Sequence, residues 1–261
     1  MPMNKAKIFK ILISIYHFFR DGYVRLTWWP HHFFNSPLGK FKLNYYSMMG
    51  EDGIIEEIFD RLGILGGWVV EFGAADGKWL SNTLKLIASG SSFNSVLIES
   101  NPEDFPKLQK TATEFAPRII PIQALVMPEG ESSLDNILSK TGIPKDFELL
   151  SIDVDSSDYQ IWRVLKNHNP KVVVIEINSS IPPLVSAMHG ENGIVGSSFM
   201  SMLKLGIEKG YTCVCHNGNM FFVRNDLMPK VHLQKKYLVH PEKLFYDKWL
   251  GRKFSKIIFE P

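Results

Sequence analysis

The sequence is short of cysteine, of long apolar runs and of several nucleotide-site signatures. Only two of its 261 residues are cysteine, Cys213 and Cys215. Their C-x-C spacing is not a usual zinc pair, and strand alternation would put both on one face, so they read as reduced thiols in a reducing, cytoplasmic compartment. No stretch is long and apolar enough to span a bilayer: Ile8 to Phe19 is short and is interrupted by Lys10 and His17. Lys5 and Lys7 precede it as in a signal peptide, but no A-x-A-like cleavage site follows. The pattern G-x-G-x-x-G is missing, which disfavours a dinucleotide-dependent dehydrogenase. No N/D-P-P-[YF] motif follows the fourth predicted strand, which argues against a base-flipping enzyme and for no nucleic-acid partner. Internal repeats and low-complexity tracts are absent as well.

What is present is a globular composition, 45% hydrophobic and 21% charged, in a chain of the length of one α/β domain. The net charge of +2 conceals segregation: residues 1–42 carry seven Lys or Arg against one acid, 43–229 fourteen against twenty-three, and 230–256 eight against two. Basic ends around an acidic middle suit solvated tails or an anionic surface. Ile8, Ile11, Leu12, Ile15 and Phe19 share one helical face. The stripe predicts an amphipathic helix that packs on the core or, with Trp28 and Trp29 as anchors, makes peripheral membrane contact through residues 1–30.

Elements alternate along the rest of the chain. A stripe from Glu51 to Leu62 closed by Gly63 predicts a helix. Strands are expected at Trp68–Val70, Ser95–Glu99, Ile119–Leu125 (weakened by Pro121), Phe147–Asp153 and Lys171–Asn178. Tyr211–Cys215 and Met220–Arg224 complete them as a hairpin around His216-Asn217-Gly218-Asn219. Helices are expected between Leu80 and Gly90, over 103–115, over 134–138, after a cap at Ser156 or Ser157, and over Phe199–Ile207. The order predicts an α/β fold: a Rossmann-like open sheet, mostly parallel, of seven strands with a closing antiparallel hairpin and helices on both faces. Residues 46–229 form the core domain, with 1–45 as an N-terminal helical and aromatic extension and 230–261 as a basic extension packed on the same domain.

The stretch Gly67-Trp68-Val69-Val70-Glu71-Phe72-Gly73-Ala74-Ala75-Asp76-Gly77, followed by Ser81-Asn82-Thr83, organises this pattern. A buried strand ends in an acid and a turn of small residues, then a helix begins. Small residues let backbone approach a ligand, and the free N–H groups of a helix start receive it. Glu99 ends the second strand, 28 residues after Glu71, where an acid can accept hydrogen bonds from a ribose. Asp153 and Asp155 end the fourth.

With these motifs, and with Gly50-Glu51-Asp52-Gly53 and Leu150-Ser151-Ile152-Asp153-Val154-Asp155, the stretch from about 45 to 225 resembles class I S-adenosylmethionine-dependent methyltransferases, most of all their FkbM-like branch. The resemblance implies S-adenosyl-L-methionine as cofactor. Its methionine end would lie by Glu71, Gly73, Ala75, Gly77 and Asn82, its ribose by Glu99, and its adenine by Gln123 and Ala124. Asp153 would line the site near the methyl group. Ala75 stands where the family usually has a glycine, and Ser156 replaces a glycine often found after the fourth-strand acids. The activity implied is O-methylation of a sugar, glycan or small-molecule hydroxyl. Asp153 and Asp155 are the catalytic candidates, the one as a base for the acceptor, with His31, His32 and His189 as lesser ones. Asp153, Glu176 and Asn178 at adjacent strand ends are also a donor set for a divalent cation, though no metal ligand is assigned. A non-catalytic nucleoside-binding or membrane-associated scaffold of the same fold is the alternative.

Overall fold

The computed structural model describes residues 36–90, 92–154 and 156–247. The stripe Ile8–Phe19, the anchors Trp28 and Trp29, His31, His32 and Asp155 lie outside the described residues, as do 248–261.

The chain enters through helix α1 (Glu51–Leu62), which buries Ile54, Ile55, Ile58, Phe59 and Leu62 on one stripe. Gly63 ends it at a φ of 73°, its N–H turned back to the Phe59 and Asp60 carbonyls, as the sequence predicts. Strand β1 (Gly66–Phe72) follows, then α2 (Leu84–Ala88), β2 (Ser92–Glu99), α3 (Phe105–Glu114), β3 (Ile119–Gln123), α4 (Leu134–Ser139), β4 (Leu149–Ile152), α5 (Asp158–Val164), β5 (Val172–Glu176), α6 (Phe199–Glu208), β6 (Tyr211–His216) and β7 (Asn219–Arg224). The strands form one sheet in the order β3-β2-β1-β4-β5-β7-β6. Five are parallel, and β7 runs antiparallel to both β5 and β6. This is the predicted Rossmann-like sheet with its closing hairpin. Pro121 is tolerated because β3 is an edge strand, paired only with β2.

Alternation divides the apolar residues between two cores. Val70, Val96, Leu150 and Val173 face α4, α5 and α6, while Val69, Leu97, Leu149 and Val172 face α1, α2 and α3. Helices therefore cover both faces, which explains the unbroken apolar run of β5. Leu38 joins one core, and Tyr237, Leu244 and Phe245 join the other. Among the described residues no helix is long and apolar enough to cross a membrane.

The two cysteines depart from the alternation argument. Both are free and buried, but Cys213 lies in one core and Cys215 in the other. A β-bulge between them pairs Cys213 with Phe222 and Cys215 with Phe221, so the extra residue reverses the face. Burial raises both thiol pKa values, that of Cys215 to about 11, so neither is a ready nucleophile.

Candidate functional site

Parallel register fixes which residues share the carboxyl edge. Phe72, Ile98, Ile152 and Ile175 are in register across β1, β2, β4 and β5. Gly73, Glu99, Asp153 and Glu176 are the next residues along, so they emerge together. Glu71 is two residues before that edge, beside Leu97 and Ser151, on the face toward α1 to α3.

That position decides what Glu71 does. It is buried, and its carboxylate is engaged by the chain itself: Oε1 accepts the Asn82 N–H at 2.8 Å, and Oε2 accepts the Ser81 and Thr83 hydroxyls at 2.7 and 2.6 Å. Burial raises its pKa, and these hydrogen bonds oppose the rise. Glu71 thus clamps the segment entering α2. Asn82 in turn donates from Nδ2 to Ser151 Oγ at 3.0 Å, tying that segment to β4.

The loop after β1 holds three left-handed residues in a row of five: Gly73 (φ 78°), Ala75 (φ 47°) and Gly77 (φ 73°). Ala75 adopts the conformation a glycine would supply, and Glu99 holds it there. Glu99 Oε2 accepts the Ala75 N–H at 2.7 Å, while Oε1 accepts the Asn101 N–H at 2.6 Å. A Cβ on Gly73 would come within 1.9 Å of the Asp153 carbonyl oxygen, and one on Gly77 within 2.6 Å of Leu108. The loop glycines are therefore demanded by contact with β4 and α3, before any ligand is considered. Gln123 is exposed at the end of β3.

A cavity of about 280 Å³ opens over the carboxyl ends of β4 and β5. Asn82 and Leu80 wall it from the β1 side, Asp153 and Asp158 from β4, and Glu176, Asn178 and Ser179 from β5. The chain leaves β1 for β2 and β3 on one side and returns to β4 on the other, so the cavity lies at the topological switch point, where open α/β sheets bind ligands. Asp153 is exposed there, and Glu176 is half-buried. Asp158 was missed by sequence reasoning. It is buried and accepts the N–H groups of Val154 and Ser156 at 2.9 and 3.1 Å. The expected serine cap does not form: Ser157 occupies the N-cap position without a side-chain bond, and the carboxylate of Asp158 holds two N–H groups upstream of the helix. Asn178 donates to the Val195 carbonyl at 2.8 Å, and its Oδ1 accepts from Ser180 Oγ at 2.5 Å. A cation there would compete with Ser180 for that oxygen, and among the described residues no group of three or more His, Cys, Asp or Glu could hold a metal ion.

The far wall comes from both ends of the domain. Glu51 accepts from Met49 N at 2.7 Å and from Asn217 and Asn219 at 3.2 and 3.3 Å, which fastens the segment before α1 to the β6–β7 turn. Asp52 gathers the N–H groups of Tyr45, Tyr46 and Ser47 on one oxygen. Behind Ser179 stands His216, buried and stacked on Phe245, with its pKa pushed down to about 3 by burial and the Lys42 charge. Its Nδ1 accepts the Tyr246 N–H at 2.8 Å, so the neutral ring carries its proton on Nε2 and donates to Ser179 Oγ at 2.9 Å. A ring in this tautomer cannot take the serine's proton, and the pair is a structural strut, not a nucleophile and base. Nothing in the local sequence marks it, since Ser179 and His216 are 37 residues apart.

No family model matches the chain, and no curated protein matches it. Among solved structures it is similar to a candidate O-methyltransferase from Klebsiella pneumoniae, 12% identical over 78% of this chain and 96% of that one, with a TM-score of 0.46. It is similar to a candidate RNA methyltransferase from Pyrococcus horikoshii, 12% identical over 74% of this chain and 91% of that one, with a TM-score of 0.43. A third is M. capricolum TrmK, solved with S-adenosyl-homocysteine: 11% identical, over 76% of this chain and 75% of that one, TM-score 0.42. Identities this low carry no residue role and no substrate from those proteins to this one.

Proposed function

We propose that the chain is an S-adenosylmethionine-dependent methyltransferase that methylates a hydroxyl of a small molecule, sugar and glycan hydroxyls included. One observation carries the reading: the carboxyl edge of the sheet holds, after β1, a left-handed loop that Glu99 fixes through Ala75 and, over the ends of β4 and β5, a cavity that Leu80 and Asn82 reach from the β1 side. The donor set suits the cofactor. Each Glu99 oxygen accepts one backbone N–H and has a second lone pair, so a ribose diol can be held without breaking the loop. Acids around the cavity suit the positive charge of a sulfonium.

When bound, the cofactor supplies a methyl group already activated for transfer. The chain's own part is alignment and proton handling. Glu99 would hold the ribose, Asn82 would orient the ligand-facing end of the β1 loop, and Asp153 would position the acceptor hydroxyl and accept its proton. The test is calorimetric titration of the full chain with S-adenosylhomocysteine, with NAD as the control. Binding of the former with no response to the latter supports the reading. The reverse result refutes it, and binding without turnover on any acceptor leaves a nucleoside-binding scaffold.

A further inference from the structure

The chain beyond β7 is basic, and the structure turns part of that charge outward beside exposed apolar side chains. In the sequence no Asp or Glu occurs from Leu227 to Pro241, while Lys230, Lys235 and Lys236 do. Two short helices carry them, α7 (Met228–Val231) and α8 (Lys235–Val239). A 3-10 turn, Pro241–Leu244, packs on α8 and adds Lys243. Tyr237 and Leu244 are buried in the core on the side of α4 to α6, which fixes the orientation of α8 and the turn. With Tyr237 inward, the rest of α8 faces outward: Lys235 and Lys236 are exposed, and Leu238 and Val239 are 50% and 59% exposed. Lys235 and Val239 stand one helical turn apart on the outer surface. The acid that follows, Glu242, lies 3.2 Å from His240. Exposed aliphatic residues are ordinary when scattered, but an adjacent pair set among lysines has the composition of an interfacial segment. A polyanion such as RNA would use the lysines and give Leu238 and Val239 no role. A bilayer with acidic headgroups uses both kinds of side chain. Basic residues continue along the sequence at Lys248, Arg252, Lys253 and Lys256.

We infer that α8 and the adjoining turn form a docking surface for an anionic lipid bilayer: Lys235, Lys236 and Lys243 meet acidic headgroups, and Leu238 and Val239 enter the headgroup layer between them. Two aliphatic side chains bury too little to anchor the chain alone, so the contact is reversible and weakens as salt screens the lysines. Neither the methyltransferase reading nor the stripe Ile8–Phe19 enters this assignment.

The test is sedimentation of the full chain with vesicles of equal parts phosphatidylserine and phosphatidylcholine, against phosphatidylcholine alone. The mixed vesicles should carry the chain down and the neutral ones should not. Lys235→Gln combined with Lys236→Gln should weaken partitioning by about 10-fold or more. Leu238→Ser combined with Val239→Ser should weaken it as well, with the salt dependence retained. Lys110→Gln combined with Lys140→Gln removes the same charge from exposed sites at α3 and the end of α4, and should change partitioning far less. All the substituted side chains are exposed, so each variant should unfold at the temperature of wild type. Absence of sedimentation with the mixed vesicles overturns the assignment, as does undiminished partitioning in either α8 variant or an equal loss in the control pair. Duplex RNA titrated in the same buffer separates the other partner: RNA binding that the α8 lysine pair abolishes, with vesicle binding untouched by the Leu238 and Val239 substitutions, makes the face a polyanion site and overturns the lipid assignment.

Discussion

Substitution of Glu71 separates a clamp from a ligand contact. In the structure its two oxygens serve one buried N–H and two buried hydroxyls, from Asn82, Ser81 and Thr83. Glu71→Ala strands the Asn82 N–H, which has no freedom to turn elsewhere, and leaves both hydroxyls to find new partners. The expected loss is about 3–5 kcal/mol, the scale of one unsatisfied buried donor plus two weakened ones. Glu71→Gln is different. Its carbonyl oxygen can keep the Asn82 N–H, and the hydroxyls can rotate to offer lone pairs to the new amide. The variant should lie within about 1 kcal/mol of wild type near neutral pH. The pH dependence gives the sign. Burial raises the folded pKa of Glu71 above 4.5. Wild type therefore loses stability as pH rises from about 4.5 through the folded pKa, since the unfolded state sheds the proton first. Glutamine carries no such proton, so Glu71→Gln should gain on wild type across that window and run parallel to it above. Urea unfolding monitored by tryptophan fluorescence at a series of pH values measures this. A Gln variant as damaged as the Ala variant, or an Ala variant that costs under about 1 kcal/mol, would refute the clamp.

Glu99→Gln should lower S-adenosylhomocysteine affinity by about 1–3 kcal/mol, the range of a charge-assisted hydrogen bond, and unchanged calorimetric affinity in the folded variant would remove Glu99 from the site. Asp153→Asn should retain S-adenosylhomocysteine binding and slow methyl transfer by about 10²-fold or more, read by single-turnover kinetics on the acceptor; normal turnover would place the base elsewhere. His216 is neutral in the fold with its pKa lowered to about 3, so the stability it contributes is present above about pH 6.5 and is lost as pH falls, by about 2 kcal/mol at pH 5. His216→Asn, whose Oδ1 can still accept the Tyr246 N–H, should abolish that part of the acid sensitivity in matched unfolding curves. If the amphipathic stripe of residues 1–30 binds lipid, the full chain should co-sediment with anionic vesicles and be released by high salt; no sedimentation refutes membrane contact.

Most of the fold was legible because strand and helix periods are local properties. Seven strands, the cap at Gly63, the crossover order and the hairpin all follow from residues adjacent in the chain. The exceptions are also local but subtler. The bulge between Cys213 and Cys215 needs one extra residue opposite Phe221 and Phe222, which no single-strand pattern reveals. The expected serine cap does not form, and Asp158 turns its carboxylate to the N–H groups of Val154 and Ser156, upstream of the helix, a reach-back that helix-start rules do not encode.

The site was legible in part, and the dividing line is physical. Residues at or one step beyond a strand's last paired position, Glu99 and Asp153, can be placed from the sequence, since parallel register carries every strand to the same edge. Glu71 shows the limit. It reads as a strand-ending acid, yet it stands two residues before Gly73 and shares parity with Val69, so its side chain faces α1 to α3. Counting back from the glycine by the two-residue period would have turned it inward. The cavity is of another kind. Met48, Leu80, Asp153, Val195 and Asn219 meet because a seven-stranded sheet brings distant segments to one edge, and the Glu51 bonds to Asn217 and Asn219 then hold the two ends of the domain together. No short motif encodes that meeting.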